Sequence, residues 1–434
     1  MKHVQRGHRV PQSRSALITL IFLAGITGAD AWAVPIPTRE IAPAFLPSMS
    51  IRVRIQTTDG NEALSVRGFD MKVRDVATAH ELMQGSRLNE WSVTCRDGRV
   101  ALKRGRERRV GGVEVSFATP AGFLSLDGKP HRDELHIRAG KGTACIVINE
   151  LDLEKYLDGL VNGEFNSRWS EESIAAQVIA ARTYALYQIR EARRRNKPYD
   201  VESTIKDQVY RGTDHEDFLA SRIVSRTRGM VLTEKKKTEP IKAFYHSTCG
   251  GRTELPRRVW GAEKRDIGVH KQVECPFCVS SPRFRWDLVM TDSEVKRAIL
   301  DGVEERGVPS GWPADWRTVV AKWQLDEVSL RNHDIDRVTE VELSFTDGAI
   351  FSPTKRVLKA SGTRFRGWVG VERIKSTIFD LRRTSDRRWV VSGRGYGHGV
   401  GLCQWGAKVM GEKGYTSAKI LSHYYPAAML RKLW

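Results

Sequence analysis

Beyond its first 33 residues the sequence has no apolar run long enough to cross a bilayer as a helix, which takes about 20 residues. It has no internal repeat, so a solenoid or propeller is not indicated. Zinc-finger spacing, an aromatic RNA-binding signature and a basic recognition helix are all missing, and nucleic acid is not an expected partner. Acidic residues are short relative to basic ones, 52 against 71, which leaves a formal charge of +19 over 434 residues. Such a balance favours anionic partners. Cysteine is sparse, with Cys95, Cys145, Cys249, Cys275, Cys278 and Cys403 the only six.

The amino terminus reads as an export signal. Arg6, Arg9 and Arg14 give a basic start, and Ala16–Gly25 is apolar and uncharged but too short to span. Small residues at Ala29, Ala31 and Ala33 supply a cleavage site, so residues 1–33 read as a signal peptide and 34–47 as a Pro- and Ala-rich linker. Export to the periplasm or cell wall follows, with membrane anchoring if the signal stays uncleaved. In an oxidising compartment an even cysteine count points to disulfides, and Cys95 and Cys145, isolated in strand-like surroundings, are a natural pair.

From Ile51 to about residue 149 the chain consists of short alternating runs, IRVRI, WSVTC, RVALK, VEVSF, ELHIR and ACIVI. Asp97-Gly98 and Asp127-Gly128 punctuate them, which predicts a β-rich amino-terminal region over 48–149. The texture changes at Glu150. LDLEKYLDGLV is helical in pattern, Asn162–Trp169 is irregular, and Ser170 with Glu171 and Glu172 caps a helix running to about Arg195. The stripe Ile174, Val178, Ala181, Ala185 and Ile189 gives that helix a buried face. Strand-like pieces return beyond Gly229, with no motif in 303–335. The fold class is α+β: a β-rich amino-terminal region, then a mixed catalytic domain over 150–434 with one prominent central helix lining a groove.

Glu164 is expected in a loop before the capped helix. The helix amino terminus would favour its ionised form, and burial against Phe165 and Trp169 its protonated form. Arg182, at the margin of the apolar stripe, needs an anionic or carbonyl partner, either Glu164, a substrate oxygen or a structural ion pair.

The segment Leu153–Leu186 resembles the core signature of the sporulation stage II protein D / amidase-enhancer LytB family. The residues that carry it are Tyr156, Glu164, Trp169, Gln177 and Ala180-Ala181-Arg182-Thr183-Tyr184-Ala185. Further blocks follow in order: Phe244-Tyr245-His246-Ser247-Thr248-Cys249-Gly250-Gly251, then Gly393–Ala407 around His398 and Gln404, then Ile420–Pro426. The chain departs from the family pattern in Phe165–Trp169 and at Cys403. The resemblance implies a peptidoglycan lytic transglycosylase that cleaves the MurNAc–GlcNAc bond of peptide-stripped glycan strands. Glu164 is then the catalytic acid/base, with Arg182, Gln177, Tyr184, Ser247, Thr248, His398 and Gln404 toward substrate. The amidase-enhancer branch implies the alternative, a non-catalytic cell-wall protein that recruits or enhances an amidase. A hydrolase would need a second carboxylate about 5–9 Å away, for which Asp158 and Glu171 are near in sequence.

Alternate glycines around His398 let the backbone approach a ligand or pack tightly on itself. Finally, His246-x-x-Cys249 and Cys275-x-x-Cys278 are two ligand pairs that suit a structural tetrahedral Zn2+, and a Cys275–Cys278 disulfide is the rival reading.

Overall fold

The computed structural model describes residues 49–434 apart from 59–61, 86, 205, 236, 261–269 and 333–336. The expected signal peptide and linker lie outside the described residues. No described helix is long and apolar enough to cross a membrane.

The amino-terminal runs fold as two antiparallel-rich sheets sharing one core. One has seven strands, with Ser50–Thr57, Cys145–Asp152, Glu134–Ala139 and Glu114–Ala118 adjacent at its centre. The other has six and centres on Leu64–Phe69 and Leu88–Arg96. Inward residues of both, among them Val73, Trp91, Phe117, Leu135 and Val147, form a single buried cluster, as period-2 alternation requires. Asp97, Gly98, Asp127 and Gly128 all have positive φ, the backbone that tight hairpin turns demand. Cys95 and Cys145 are bonded, with Cα atoms 5.4 Å apart, and cross-link the two sheets.

The last long strand of this sandwich runs directly into helix α1, Leu153–Glu164, capped by the Asp152 carboxylate. Helix α2, Glu171–Arg194, is capped by Ser170 with Glu171 and Glu172 in its first turn, as its sequence predicts. Helix α3, Phe218–Arg226, completes a layer with Tyr156, Leu160, Ile174, Val178 and Ile223 in its core. The other face of α2 belongs to a second core, where Ala176, Ile179 and Ala180 meet Leu402, Ala407, Ile420 and Tyr424.

Residues 285–394 build a further unit that the sequence pattern does not delimit. Trp286, Ile299, Val320, Leu343, Phe365 and Val391 are buried in one core of its own. The chain enters and leaves this unit at one place: Gly395 N–H donates to Phe284 C=O at 2.8 Å and Trp286 Nε1 donates to Gly395 C=O at 2.9 Å.

Because the Cys95–Cys145 bond closes a loop of 50 residues between the two sheets, a Cys95→Ala/Cys145→Ala variant is expected to lose about 2–4 kcal/mol of stability. Denaturant unfolding of the variant against the unmodified protein measures this.

Candidate active site

Glu164 is the last residue of α1, not a loop residue at the amino end of α2, so the expected influence of a helix amino terminus is absent. The negative end of the α1 dipole lies there instead and opposes ionisation. The carboxyl group is shielded from water, and burial lifts its pKa from 4.5 to about 7. Hydrogen bonding opposes the rise: Val209 N–H donates to Oε1 at 2.6 Å. Gln404 Nε2 donates to the Glu164 carbonyl at 3.4 Å and ties the end of α1 to the helix Gln404–Glu412.

Glu164 opens into a cleft of about 970 Å³. Aromatic rings form much of its wall. Trp169 meets Trp405 edge-on at 5.6 Å, and Phe244 stacks on Trp260 at 4.6 Å. Arg283, Arg306, Arg366 and Lys206 add cationic groups.

Of the residues assigned toward substrate, Tyr184, Ser247, His398 and Gln404 line this cleft with Glu164. Three others do not. Arg182 is 0% exposed, and its guanidinium forks onto Glu154, with Nη2 2.7 Å from Oε2 and Nε 3.1 Å from Oε1. The carbonyls of Val224 and Met230 and the hydroxyl oxygen of Thr227 accept its remaining protons. The sequence left a structural ion pair open, and that is what the fold builds, because Glu154 faces α2 from the first turn of α1. Thr248 is buried and bonded to Ser281 Oγ at 2.9 Å. Gln177 is buried in α2 with neither amide atom partnered and is not part of the cleft wall.

The glycine block packs closely on protein, and its Tyr396, Gly397 and His398 line the cleft. Gly395, Gly397, Gly399 and Gly401 all have positive φ. A Cβ on Gly401 would stand 2.0 Å from the Phe244 carbonyl oxygen, and one on Gly397 2.9 Å from His246 Cβ. The block therefore lies flush on the 244–250 segment. Its His398 accepts from Val400 N–H at Nδ1, at 3.0 Å, and burial holds the ring's pKa well below 6.5.

The two carboxylates near Glu164 in sequence are elsewhere. Glu171 pairs with Arg222 and Arg226 at the surface, and Asp158 lines a separate acidic hollow with Asp133 and Glu154. In the cleft itself Asp207 accepts from Tyr184 Oη, Gln188 Nε2 and Glu202 N–H, and Glu372 accepts from Tyr396 Oη.

Four sulfurs converge behind the cleft: Cys249, Cys275, Cys278 and Cys403 lie within 4.8 Å of one another, all buried and none disulfide-bonded. His246 is not among them. Its Nδ1 is 3.0 Å from the Val400 carbonyl, so the pair His246-x-x-Cys249 is corrected to Cys249 with Cys403. No local spacing signals Cys403, which reaches the cluster because Leu402–Cys403 pairs in parallel with Tyr245–His246. The donor set fits a tetrahedral thiolate-bound ion. The N–H groups of Cys249 and Gly406 point at Cys403 Sγ, at 3.3 and 3.4 Å, and favour the thiolate form. A Cβ on Gly406 would meet Cys275 Sγ at 2.7 Å.

Comparison with known proteins finds similarity around these features. Residues 141–233, which hold α1, Glu164 and α2, match the family model described as SpoIID, stage II sporulation protein. An uncharacterized protein of Brachyspira hyodysenteriae is 27% identical over 387 residues, covering 88% of this chain and 93% of its own length. The amidase enhancer of Bacillus subtilis is 27% identical over 306 residues, 63% of this chain and 40% of that protein. Stage II sporulation protein D of Bacillus subtilis is 27% identical over 304 residues, 66% of this chain and 77% of that protein.

A folded-state pKa raised from 4.5 to about 7 means that Glu164 costs stability once pH exceeds 4.5, and that the cost is complete above 7. Glu164→Gln is therefore expected to raise stability at pH 8 by up to about 3 kcal/mol, with the gain gone below pH 4.5. Denaturant midpoints across that pH range check it.

Proposed function

We propose that this chain, a member of the stage II sporulation protein D and amidase-enhancer family, is an exported lytic transglycosylase acting on peptidoglycan glycan strands. The observation that carries the reading is Glu164: a carboxyl group with a pKa of about 7, facing an aromatic cleft in which Asp207 is engaged by three donors and Glu372 accepts from Tyr396 Oη. At neutral pH about half of such groups hold a proton to donate. The proton goes to the glycosidic oxygen as its bond to C1 of MurNAc breaks. The resulting carboxylate takes the proton from the same sugar's 6-hydroxyl as that oxygen bonds to C1 and closes an anhydro ring. One carboxyl group serves both steps, and water takes no part. A two-carboxylate hydrolase would need a base for water, and Asp207 in this cleft already accepts from Tyr184, Gln188 and Glu202 N–H.

The aromatic walls suit a sugar chain, whose C–H faces lie against rings while its hydroxyls meet polar groups at the rim. Tyr184, Ser247, His398 and Gln404 are the polar members we assign to substrate. The amidase-enhancer relative favours a second reading, in which the same cleft grips glycan without cutting it and the chain serves a cell-wall amidase.

Incubation of the protein with peptide-stripped glycan strands, followed by mass spectrometry, separates the readings. Anhydro-MurNAc ends that fall at least a thousandfold in Glu164→Gln, with strand co-sedimentation retained, are expected. Reducing ends would mean hydrolysis, and intact strands that still co-sediment would mean binding alone.

We assign a structural Zn2+ to Cys249, Cys275, Cys278 and Cys403. With four protein sulfurs it keeps no open position for water, and its role is to tie the 244–250 segment to the glycine block. Elemental analysis is expected to find about one zinc per chain, lost in Cys403→Ser and kept in His246→Ala.

A further inference from the structure

The cleft holds more cations than carboxylates, and one of those cations is held in place by backbone alone. Lys206, Arg283, Arg306 and Arg366 line it, against Asp207 and Glu372 besides Glu164. Arg306 stands 3.5 Å from Glu305 and Lys206 3.8 Å from Glu202, and Arg283 lies over the Tyr396 ring at 4.5 Å. Arg366 is different. It is half-buried on the helix Gly362–Val369 of the 285–394 unit. Its Nε donates to the Ile374 carbonyl at 2.9 Å, and its Nη2 to the carbonyls of Lys375 at 3.0 Å and Val371 at 3.4 Å. A guanidinium has five N–H protons. Three are taken in this way, and the two on Nη1 have no acceptor among the described residues. No described carboxylate stands within ion-pair distance of Arg366 either. Burial lowers its pKa to about 10, which still leaves it charged at pH 7.

A cation kept half-buried without an anion carries a desolvation cost that an anionic ligand group offsets. The three carbonyls fix the guanidinium before any ligand arrives, so little ordering remains for binding to supply. We propose that Arg366 is a specificity-determining residue whose Nη1 receives the free lactyl carboxylate of a MurNAc unit. The proposal rests on the glycan reading of the cleft and adds which group of the strand is recognised. MurNAc differs from GlcNAc in a lactyl ether on O3, and that ether ends in a carboxylate only where no stem peptide is attached. Joined to a peptide it is an amide and has no charge to offer. The aromatic walls meet sugar rings that are the same in both forms. Arg366 tells the two apart by charge.

The surroundings of Arg366 favour an anion. A Cβ on Gly367 would stand 3.5 Å from Arg306 Cζ, which puts a second guanidinium against the same helix. Glu372 is the one described carboxylate that the 285–394 unit gives the cleft, and it accepts from Tyr396 Oη. Asp207 belongs to the opposite part of the chain and is engaged by Tyr184, Gln188 and Glu202 N–H. Glu164 stands at the end of α1, so the acid and the anion-reading cation come from different units of the fold.

The test uses three probes: stripped strands, the same strands with their lactyl carboxyl groups converted to methylamides, and strands that still carry stem peptides. The protein is expected to bind stripped strands about 10- to 100-fold more tightly than the methylamides. Peptide-bearing strands, whose carboxylates lie along the peptide, should bind no better than the methylamides. In Arg366→Met the preference is expected to vanish with affinity for the methylamides kept, and Arg366→Lys should retain part of it. On strands that are cut, Arg366→Met should raise KM by the same factor with kcat little changed. Equal binding of stripped and methylamide strands by the unmodified protein would overturn the proposal, and that comparison needs no variant to fold. A preference that survives in folded Arg366→Met would overturn it too, since another cation would then read the carboxylate. Tight binding of peptide-bearing strands would move the recognised anion onto the peptide, with the same result. The acid/base reading fails separately. A protein that discriminates but leaves no anhydro ends keeps the role of Arg366 and loses that of Glu164. One that cuts without discriminating does the reverse, and one that binds no strand loses both.

Discussion

A carboxyl group that keeps its proton near neutral pH must be kept dry, and it must not meet a cation at close range. Glu164 satisfies both conditions. It sits at the carboxyl end of α1, in a cleft that Trp169, Trp405 and Tyr245 also line, and the hydrogen bond to its carboxyl group comes from the uncharged Val209 N–H. The buried cation of the helix layer, Arg182, is locked onto Glu154 and does not line the cleft. Had Arg182 faced Glu164, ion pairing would have pulled the carboxyl pKa down by one unit or more, and proton donation at neutral pH would have failed. The same pairing thus stabilises the helix layer and keeps a positive charge away from the acid.

Much of the remaining architecture serves to hold that end of α1 still. The sandwich delivers its last long strand straight into α1 at Asp152, so the helix start is fixed by a seven-stranded sheet. Its other end is held through Gln404, which opens the helix following the glycine block. That block lies so close to the 244–250 segment that side chains at Gly397 or Gly401 would collide with it. The four-sulfur cluster gathers the ends of both segments together with Cys275 and Cys278. The unit over 285–394 hangs from one neck beside the cleft and supplies Arg306, Arg366 and Glu372 to its rim.

How far this was legible in the sequence differs from element to element. The strands before residue 150 carry strict alternation and turn dipeptides, and each predicted run is a strand in the fold. The Ser170 cap and the α2 stripe are equally local signals, and they hold. Glu164 was identifiable from its motif, but its place at the end of α1 was not, because the helix continues through Asn162 and Gly163 where propensity predicts a break. Arg182 had a structural reading that sequence alone could not choose, since Glu154 is 28 residues away. His246 was paired with Cys249 on short spacing, whereas the fourth sulfur of the cluster, Cys403, comes from 154 residues downstream.

The claim on which the account stands is that Glu164 holds its proton close to neutral pH without any ligand present. Site-resolved titration of its carboxyl carbon by 13C NMR, assigned by the signal that vanishes in Glu164→Gln, measures this directly. A midpoint near pH 7 is the result the account predicts. A midpoint near the ordinary glutamate value of about 4.3 would contradict it, because the group would then be a carboxylate at neutral pH with no proton to give.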